Sequence, residues 1–316
     1  MPVNGNDKRR LWDGLNLMAA DCNGCAVCLL SCPVWRQSHD QTLTFCGRMR
    51  SMQGGAGLRE IADSVNNCIL CGSCEPVCSY GVESVMRTLQ MRADLSGETQ
   101  GALRDERTSD SASGRVLLAN PLLLAERDII EKTLAHLGGV ALHGDNGDDL
   151  SEALETGRQI DSQRLQDFVS SLGGASEVLT TDGLLFRLIR KFSPGTKLIS
   201  LGEALLRVDI IKRAIGPDDL YVIDARTYNA DYKRLVSFYD RIRKDTGAMM
   251  NLDLHRVATP TGTSLHISSG MVDPVSQAEW MLRGRSPGRI IVENIEDAAP
   301  FRSVSNVPVV FVSELG

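Results

Sequence analysis

Two cysteine runs with the same spacing constrain this chain more than any other feature of its sequence. The runs are Cys22-x2-Cys25-x2-Cys28-x3-Cys32 and Cys68-x2-Cys71-x2-Cys74-x3-Cys78. Two-residue gaps let three thiolates of one tight loop reach three irons of a cube, and this spacing is that of bacterial proteins that bind two [4Fe–4S] clusters. The sequence therefore predicts two [4Fe–4S] clusters bound by eight thiolates.

The fourth cysteine of each run points away from its own loop, and in two-cluster proteins it binds the cluster of the other run. We therefore expect cluster 1 to be bound by Cys22, Cys25, Cys28 and Cys78. We expect cluster 2 to be bound by Cys68, Cys71, Cys74 and Cys32. Gly24 and Gly72 lie inside the loops, where backbone must approach sulfide closely. A zinc site is the alternative, but zinc usually takes two CxxC pairs that lie further apart.

The location of the cysteines argues against disulfides. All nine cysteines lie within the first 78 residues, whereas a disulfide framework is typical of small secreted chains. The first ten residues are polar, and no apolar run approaches the roughly 20 residues that a membrane span needs. We therefore expect a cytoplasmic protein that is membrane-associated only through a partner. The net charge of -6 argues against nucleic-acid binding.

The residues around the cysteine runs predict helices and not the compact β form of ferredoxin. Leu58, Ile61 and Val65 lie between the runs, and Val85 and Leu89 follow them at helical spacing. Residues 1–95 are thus expected to form an α-helical ferredoxin domain with two clusters. The ninth cysteine, Cys46, is interpreted as a buried, inert thiol, with a redox-sensing thiol as the alternative.

The remainder of the chain predicts parallel sheets. Residues 96–114 are rich in Ser, Gly and charge, which is typical of a linker. Residues 115–316 alternate strand-like and helix-like runs, as parallel βαβ units do. The predicted strands of the first half cover residues 115–120, 139–143, 177–180 and 197–201, and the predicted helices cover 125–137, 162–172 and 183–192.

The second half of this region repeats the pattern of the first. Residues 115–120 correspond to 220–225, and residues 177–205 correspond to 289–316. We therefore expect a duplicated α/β region with lobes at 115–216 and 217–316. The predicted fold class is a multidomain α+β protein, in which the α-helical dicluster ferredoxin domain precedes this duplicated region.

The whole chain resembles one family, the iron–sulfur subunits related to glycolate oxidase and to heterodisulfide reductase. The resemblance rests on three features: the paired cysteine runs, the spacer and second run, and the V-P-V-V-x-x-x-E-L ending. The spacer reads G-R-x-x-x-M from Gly47 to Met52, the second run continues through Glu75 to Gly81-Val82, and the ending covers residues 307–315. The resemblance implies a subunit that relays electrons to or from a flavoprotein dehydrogenase.

In that family each C-terminal lobe carries a Cys-Cys-Gly motif and further cysteines, and this chain has none of them. The corresponding stretches read His143-Gly144-Asp145, Ser268-Ser269-Gly270-Met271 and Asp224-Ala225-Arg226. Serine is a poor substitute for thiolate toward iron. The resemblance thus implies lobes that kept their fold and lost their metal chemistry.

Other polar residues are given unremarkable interpretations. His143 and His266 are expected to be surface or hydrogen-bonded histidines, with ligation or proton relay as the alternative. Asp145, Asp148 and Asp149 are expected to form a solvated turn, with cation binding as the alternative. Arg9, Arg10, Arg48 and Arg50 are expected to be ordinary surface residues, with docking of an acidic partner as the alternative. No phosphate-loop, dinucleotide or nucleophile-elbow motif is recognisable.

These observations favour an electron-transfer subunit of a larger oxidoreductase complex, without catalytic residues of its own. Two alternatives remain open, namely a catalytic subunit that reduces a disulfide or quinone, and a redox-sensing interaction module. The sequence names neither the electron donor nor the acceptor.

Overall fold

The computed structural model describes residues 22–97, 112–253, 256–266 and 270–316 of the chain. Residues 22–97 are helical, as predicted, and contain four α-helices joined by short 3₁₀ turns. The helices are α1 (Pro33–Ser38), α2 (Phe45–Gln53), α3 (Ala62–Asn66) and α4 (Ser84–Ser96), and the turns cover Val27–Ser31, Gln41–Leu43 and Leu58–Ile61. Local sequence explains two boundaries: Pro33 occupies the first turn of α1, and Thr44 caps α2 by accepting from the Gly47 N–H.

The next part of the chain, up to residue 213, forms the first lobe. Its elements in chain order are β1 (Gly114–Leu118), α5 (Pro121–Ala125), α6 (Arg127–Leu137), β2 (Val140–Leu142), α7 (Asp148–Thr156), α8 (Ser162–Ser171), β3 (Ala175–Thr180), α9 (Gly183–Phe192), β4 (Leu198–Ser200), α10 (Leu201–Leu206) and α11 (Asp209–Arg213). The predicted strands and helices of this lobe are all present, with ends shifted by a few residues.

The second lobe follows from residue 219 onward. Its elements are β5 (Asp219–Val222), α12 (Ala225–Ala230), α13 (Tyr232–Thr246), β6 (Met249–Met250), β7 (Leu252–Asp253), β8 (Val257–Ala258), α14 (Pro274–Leu282), β9 (Arg289–Val292), α15 (Ala298–Val304) and β10 (Val309–Phe311). Two 3₁₀ turns, Ile295–Asp297 and Val312–Glu314, follow β9 and β10. Strands β7 and β8 form a small antiparallel hairpin.

Each lobe contains one four-stranded parallel sheet, which confirms the predicted sheet type. The first sheet has the order β2-β1-β3-β4 and the second has the order β6-β5-β9-β10. Apart from the hairpin, the first to fourth strands of each lobe, counted along the chain, therefore occupy equivalent positions in the two sheets. In parallel sheets the carboxyl ends of the strands share one edge, and polar loops gather there.

The prediction of a solvated turn at residues 145–149 is wrong. Asp148 and Asp149 lie in the first turn of α7, where acidic side chains suit the helix dipole. Arg164 of α8 makes paired contacts of 2.7 to 2.8 Å with the carboxylates of Asp145 and Asp149. The positive charge that binds these carboxylates is thus the Arg164 side chain of the same lobe. The overlooked signal is the helical spacing of Leu150, Ala153 and Leu154, all of which are buried.

Three parts of the structure share their cores. Leu117 and Leu179 of the first sheet lie in one hydrophobic cluster with Leu220 and Ile290 of the second. Helix α4 contributes Val85 and Leu89 to another cluster that includes Leu118 and Leu150 of the first lobe. Helix α4 therefore packs directly on the first lobe. Residues 98–111 of the predicted linker lie outside the described part. The linker and its boundaries at 95 and 114 therefore stay a prediction.

The lobes approach each other closely where α9 begins beside α12. A Cβ at Gly183 would lie 2.3 Å from the Arg226 Cβ and 2.7 Å from its carbonyl carbon. We therefore expect Gly183→Ala to lower the free energy of unfolding by about 2 to 3 kcal/mol, as overpacking does. The matched control is Gly216→Ala, whose added methyl meets nothing within 4 Å and should change stability by about 0.5 kcal/mol or less.

Urea unfolding of both variants, prepared without air, measures the difference. Equal stability of the two variants would mean that α9 and α12 separate at little cost.

Candidate iron–sulfur centres

The two cysteine loops turn through left-handed backbone at equivalent positions. Counted from the first cysteine of each run, the third residues are Gly24 (φ 77°) and Leu70 (φ 56°), and the fifth are Ala26 (φ 63°) and Gly72 (φ 71°). Left-handed φ is uncommon for residues with a side chain, and for leucine it is strained. Alternating left- and right-handed residues turn successive N–H groups into one concavity, which is the anion-binding nest of many iron–sulfur sites.

The first cavity is lined by the first three cysteines of the first run together with the last cysteine of the second. Its volume is about 390 Å³. The cysteines on its wall are Cys22, Cys25, Cys28, Cys78, Cys74 and Cys46. Cys25 is exposed, whereas Cys22, Cys28 and Cys78 are half-buried. The first cavity therefore reaches the surface of the protein on the side of Cys25.

The second cavity is lined by the first three cysteines of the second run together with the last cysteine of the first. Its volume is about 480 Å³, and its cysteines are Cys68, Cys71, Cys74, Cys32 and Cys28. Cys71 is buried and none of these five side chains is exposed. Each cavity thus includes the fourth cysteine of the other run. The ligand sets of the two clusters stay a prediction.

A common wall separates the two cavities. Cys28, Phe45, Cys74 and Ser84 line both of them. The Ser84 Oγ lies 2.8 Å from the Cys74 Sγ, so a hydroxyl stands beside a sulfur at this wall. Groups bound in the two cavities would be neighbours across the third cysteine of each run.

Burial and charge act differently on individual thiols around the cavities. Burial raises the pKa of Cys28 and of Cys32 to about 12. Burial also acts to raise the pKa of Cys68, but the positive charges of Arg48 and Arg92, aided by hydrogen bonds, hold it below its usual value. These two charges therefore favour the thiolate of Cys68, the form that binds metal.

Arg48 is not a surface residue, and that prediction is wrong. Its side chain is 1% exposed and donates from Nη1 to the Ser64 carbonyl at 2.6 Å and from Nη2 to the Thr88 Oγ1 at 3.0 Å. Arg50 is exposed as expected, and Arg9 and Arg10 lie outside the described residues. Nothing in the sequence pattern separated Arg48 from Arg50, because short helix α2 places both within one turn and only its packing decides which is buried.

Arg92 and Arg187 are further cations beside the second cavity that sequence reasoning missed. Arg92 is 3% exposed and donates to backbone carbonyls of Val65, Asn66, Cys68 and Glu155. Arg187 pairs with Glu75 at 2.8 Å. Its Nη2 lies 2.5 Å from where a Cβ of Gly72 would be, so the guanidinium packs directly against the loop backbone at Gly72. A periodic helix such as α4 gives no sequence signal for a buried arginine.

Cys46 lies completely buried on the wall of the first cavity. Burial raises the pKa of its thiol, and the negative charge of a Cys22 thiolate raises it further. The interpretation as a buried inert thiol stays a prediction, and the structure adds that Cys46 adjoins a candidate centre. The sequence could not show this, because Cys46 belongs to neither run.

The residues present fit [4Fe–4S] clusters on chemical grounds. Each cavity combines thiols with a loop backbone that turns through left-handed residues, and the second adds buried guanidinium groups. The Nε of Arg48 and the Nε and Nη2 of Arg187 are buried without a hydrogen-bond partner among the described residues. Buried cations of this kind require a negative group nearby, and a thiolate-bound cluster is negatively charged.

The stretches at residues 143–145 and 224–226 follow strands β2 and β5, at the carboxyl ends of the two sheets. Asp224 caps α12, and Arg226 pairs with Glu155 and donates to the Ile69 carbonyl at 3.1 Å. Polar cavities of about 270 and 310 Å³ lie here, and the larger is lined by both Arg226 and Cys71. This polar cleft, defined by Asp224, Arg226 and Glu296, therefore adjoins the second cavity.

The histidines lie near the cleft but are not brought together with the cysteines. His143 is buried, and its Nδ1 lies 2.7 Å from the Asp145 carbonyl oxygen. The His266 Nε2 lies 3.4 Å from the Asp148 carboxylate. Ser268 and Ser269 lie outside the described residues. Within the described part of the chain, no three His, Cys, Asp or Glu side chains converge on a point where one metal ion would bind.

Comparison with known proteins identifies the N-terminal part. Residues 18–82 match the family model described as a 4Fe-4S dicluster domain. No curated protein and no solved structure matched the chain. The matched range contains both cysteine runs, so this part of the chain is an iron–sulfur domain of the [4Fe–4S] type. In the residues that the structure describes, no helix is both long and apolar enough to cross a membrane.

Proposed function

We propose that this protein is an electron-transfer subunit of a larger oxidoreductase complex and binds two [4Fe–4S] clusters. Cluster 1 is assigned to Cys22, Cys25, Cys28 and Cys78, and cluster 2 to Cys68, Cys71, Cys74 and Cys32. The observation that carries the proposal is the pair of cysteine-lined cavities with a common wall. When bound, each cluster would supply one-electron chemistry at a potential tuned by hydrogen bonds, burial and charge.

The surface beside the first cavity suits a partner protein. Val27, Leu30 and Tyr80 are 37%, 60% and 61% exposed. Tyr80 lines the first cavity, and the exposed Cys25 shortly precedes Val27 in the chain. Exposed apolar residues that group around a cofactor site are a common feature of interaction surfaces. We assign this surface to the partner that exchanges electrons, and a flavoprotein is the partner that the family resemblance favours.

The two lobes act as a scaffold in this proposal. Their sheets share one strand order, which supports an origin by duplication, and their common core makes them rigid. Helix α9 presents Arg187 and α12 presents Arg226 to the second cysteine loop. The lobes thereby position charged groups around the second cavity, and they require no metal of their own to do so.

A catalytic role is a second candidate because of the polar cleft next to Cys71. A small electron acceptor bound between Arg226 and Glu296 would lie near cluster 2. Direct turnover of a disulfide or quinone by the isolated chain, lost in Arg226→Met, would favour this candidate over the electron-transfer subunit.

The proposed function predicts a defined composition and a partner. Protein purified without air should contain about eight iron and about eight sulfide per chain, as two cubes do. It should co-purify at native expression with a redox subunit, and a reduced flavoprotein partner should bleach its visible absorption reversibly. Zinc in place of iron, or isolation as a lone enzyme that turns over a substrate, would contradict the proposal.

A further inference from the structure

Two buried arginines beside the second cavity have no acidic partner among the described residues. Arg48 hydrogen-bonds to a carbonyl and to hydroxyls, and its positive charge acts on the thiol of Cys68. Arg92 hydrogen-bonds to backbone carbonyls, including that of Cys68. Both side chains are at least 97% buried. Two positive charges without a paired carboxylate therefore lie at Cys68.

The other cations near the second cavity are neutralised by carboxylates. Arg36 pairs with Asp253 at 3.5 Å, Arg187 pairs with Glu75 at 2.8 Å, and Arg226 pairs with Glu155. Arg48 and Arg92 thus differ from these three arginines in having no paired carboxylate among the described residues.

The first cavity has no equivalent among the described residues. Arg50 lies beside its cysteine loop, with its Cδ 2.8 Å from where a Cβ of Gly24 would be. Arg50 is exposed and bonds to Gln53, so solvent and salt screen its charge. The two cavities are therefore unlike in their electrostatics although their cysteine loops are alike.

Reduction of a [4Fe–4S] cluster adds one electron and breaks no bond. Nearby fixed positive charge favours the form with the additional negative charge, and burial makes a charge act through a low dielectric constant. Water at Cys25 also favours added negative charge at the first cavity. The two buried arginine charges have to outweigh this effect of water. Each charge within several ångströms of a cluster in a protein interior changes the equilibrium constant for reduction by more than about tenfold.

We propose that Arg48 and Arg92 raise the reduction potential of the cluster at the second cavity above that of the cluster at the first. An electron delivered by a reduced flavoprotein at the Cys25 surface then comes to rest beside the polar cleft between the lobes. This inference rests on the proposed binding of two clusters and adds a direction to it. Arg48 and Arg92 are positioning residues, because they act through the cluster and touch no substrate.

The test is a redox titration of the full chain, prepared without air and followed by electron paramagnetic resonance with a chemical reductant. The wild-type protein should give two one-electron steps. Arg48→Met and Arg92→Met should each lower the potential of the higher step by at least 59 mV, which is tenfold in the equilibrium constant for a one-electron reduction. The potential of the lower step should not change. Arg50→Met is the matched control from the same helix and should move neither step.

Charge and hydrogen bonding are separated by two further variants. Arg48→Lys keeps the charge and should retain the higher step, whereas Arg48→Gln keeps donors without charge and should lower it. This pair decides the question if Arg48→Met loses iron. Full iron content with an unmoved higher step, or a shift of the lower step only, would overturn the inference. A wild-type protein without iron would instead overturn the proposed function.

Discussion

Replacing Cys78 with alanine is expected to empty the first cavity and to spare the second, although Cys78 belongs to the second cysteine run. Iron should fall by up to half, because one of two cubes loses a ligand. In the native protein without air, Cys22, Cys25 and Cys28 should then become reactive toward iodoacetamide. Cys32→Ala should do the reverse and release Cys68, Cys71 and Cys74. Iron analysis and mass spectrometry of the alkylated chain give both readouts.

Cys46→Ala is the matched control for these substitutions. It removes a thiol from the wall of the first cavity but from neither run, so iron content should stay at the wild-type level. If Cys78→Ala instead exposed Cys68, Cys71 and Cys74, the crossed ligand sets would be wrong. Loss of iron from Cys46→Ala would show that its interpretation as an inert thiol is wrong.

The stability of the second lobe is expected to fall as pH rises, because of Glu293. This buried side chain accepts from Tyr221 and Tyr239 hydroxyls at 2.9 and 2.6 Å and from the Asp224 N–H at 2.8 Å. Burial raises the pKa of Glu293 from its usual 4.5 to about 8. The fold therefore favours the protonated form, and this contribution to stability is complete below the unfolded pKa and disappears as pH rises to the folded pKa.

Glu293→Gln removes the titration and keeps the shape of the side chain. As pH rises between the unfolded and folded pKa values of Glu293, the free energy of unfolding of the variant should increase relative to that of the wild type. The increase should be about 1.4 kcal/mol per pH unit, or roughly 5 kcal/mol in all. Urea unfolding at several pH values without air measures the gap. Glu279→Gln, at an exposed position of α14, is the control and should show no such trend. A gap that is independent of pH would mean that the three donors keep Glu293 ionised.

Local patterns predicted most of the secondary structure. Residues 183–192 were predicted as a helix and form α9 without a change of bounds, because Asp182 caps a strongly amphipathic stretch. Helix α7 was missed because its acidic start resembled a loop. The helical character of the N-terminal part followed from apolar spacing alone.

Long-range packing decided what local patterns could not. Arg48 and Arg50 look alike in sequence, yet one is buried at Cys68 and the other faces solvent. Arg92 and Arg187 come close to the cysteine loops only because α4 and α9 pack there. Tertiary contacts over more than a hundred residues, such as that of Arg226 with the Ile69 carbonyl, leave no trace in local spacing.

The sequence by itself determined the iron–sulfur nature of the N-terminal part, since thiolate ligation to a cube depends on short spacings within two loops. It also determined the parallel sheets, since strand and helix periodicities alternate along the chain. Only the tertiary structure decided which cavity is exposed, which adjoins arginines without a paired carboxylate in the described part of the chain, and that a polar cleft lies beside Cys71. Burial and electrostatic potential are sums over residues that are distant in the chain, so only the folded arrangement sets them.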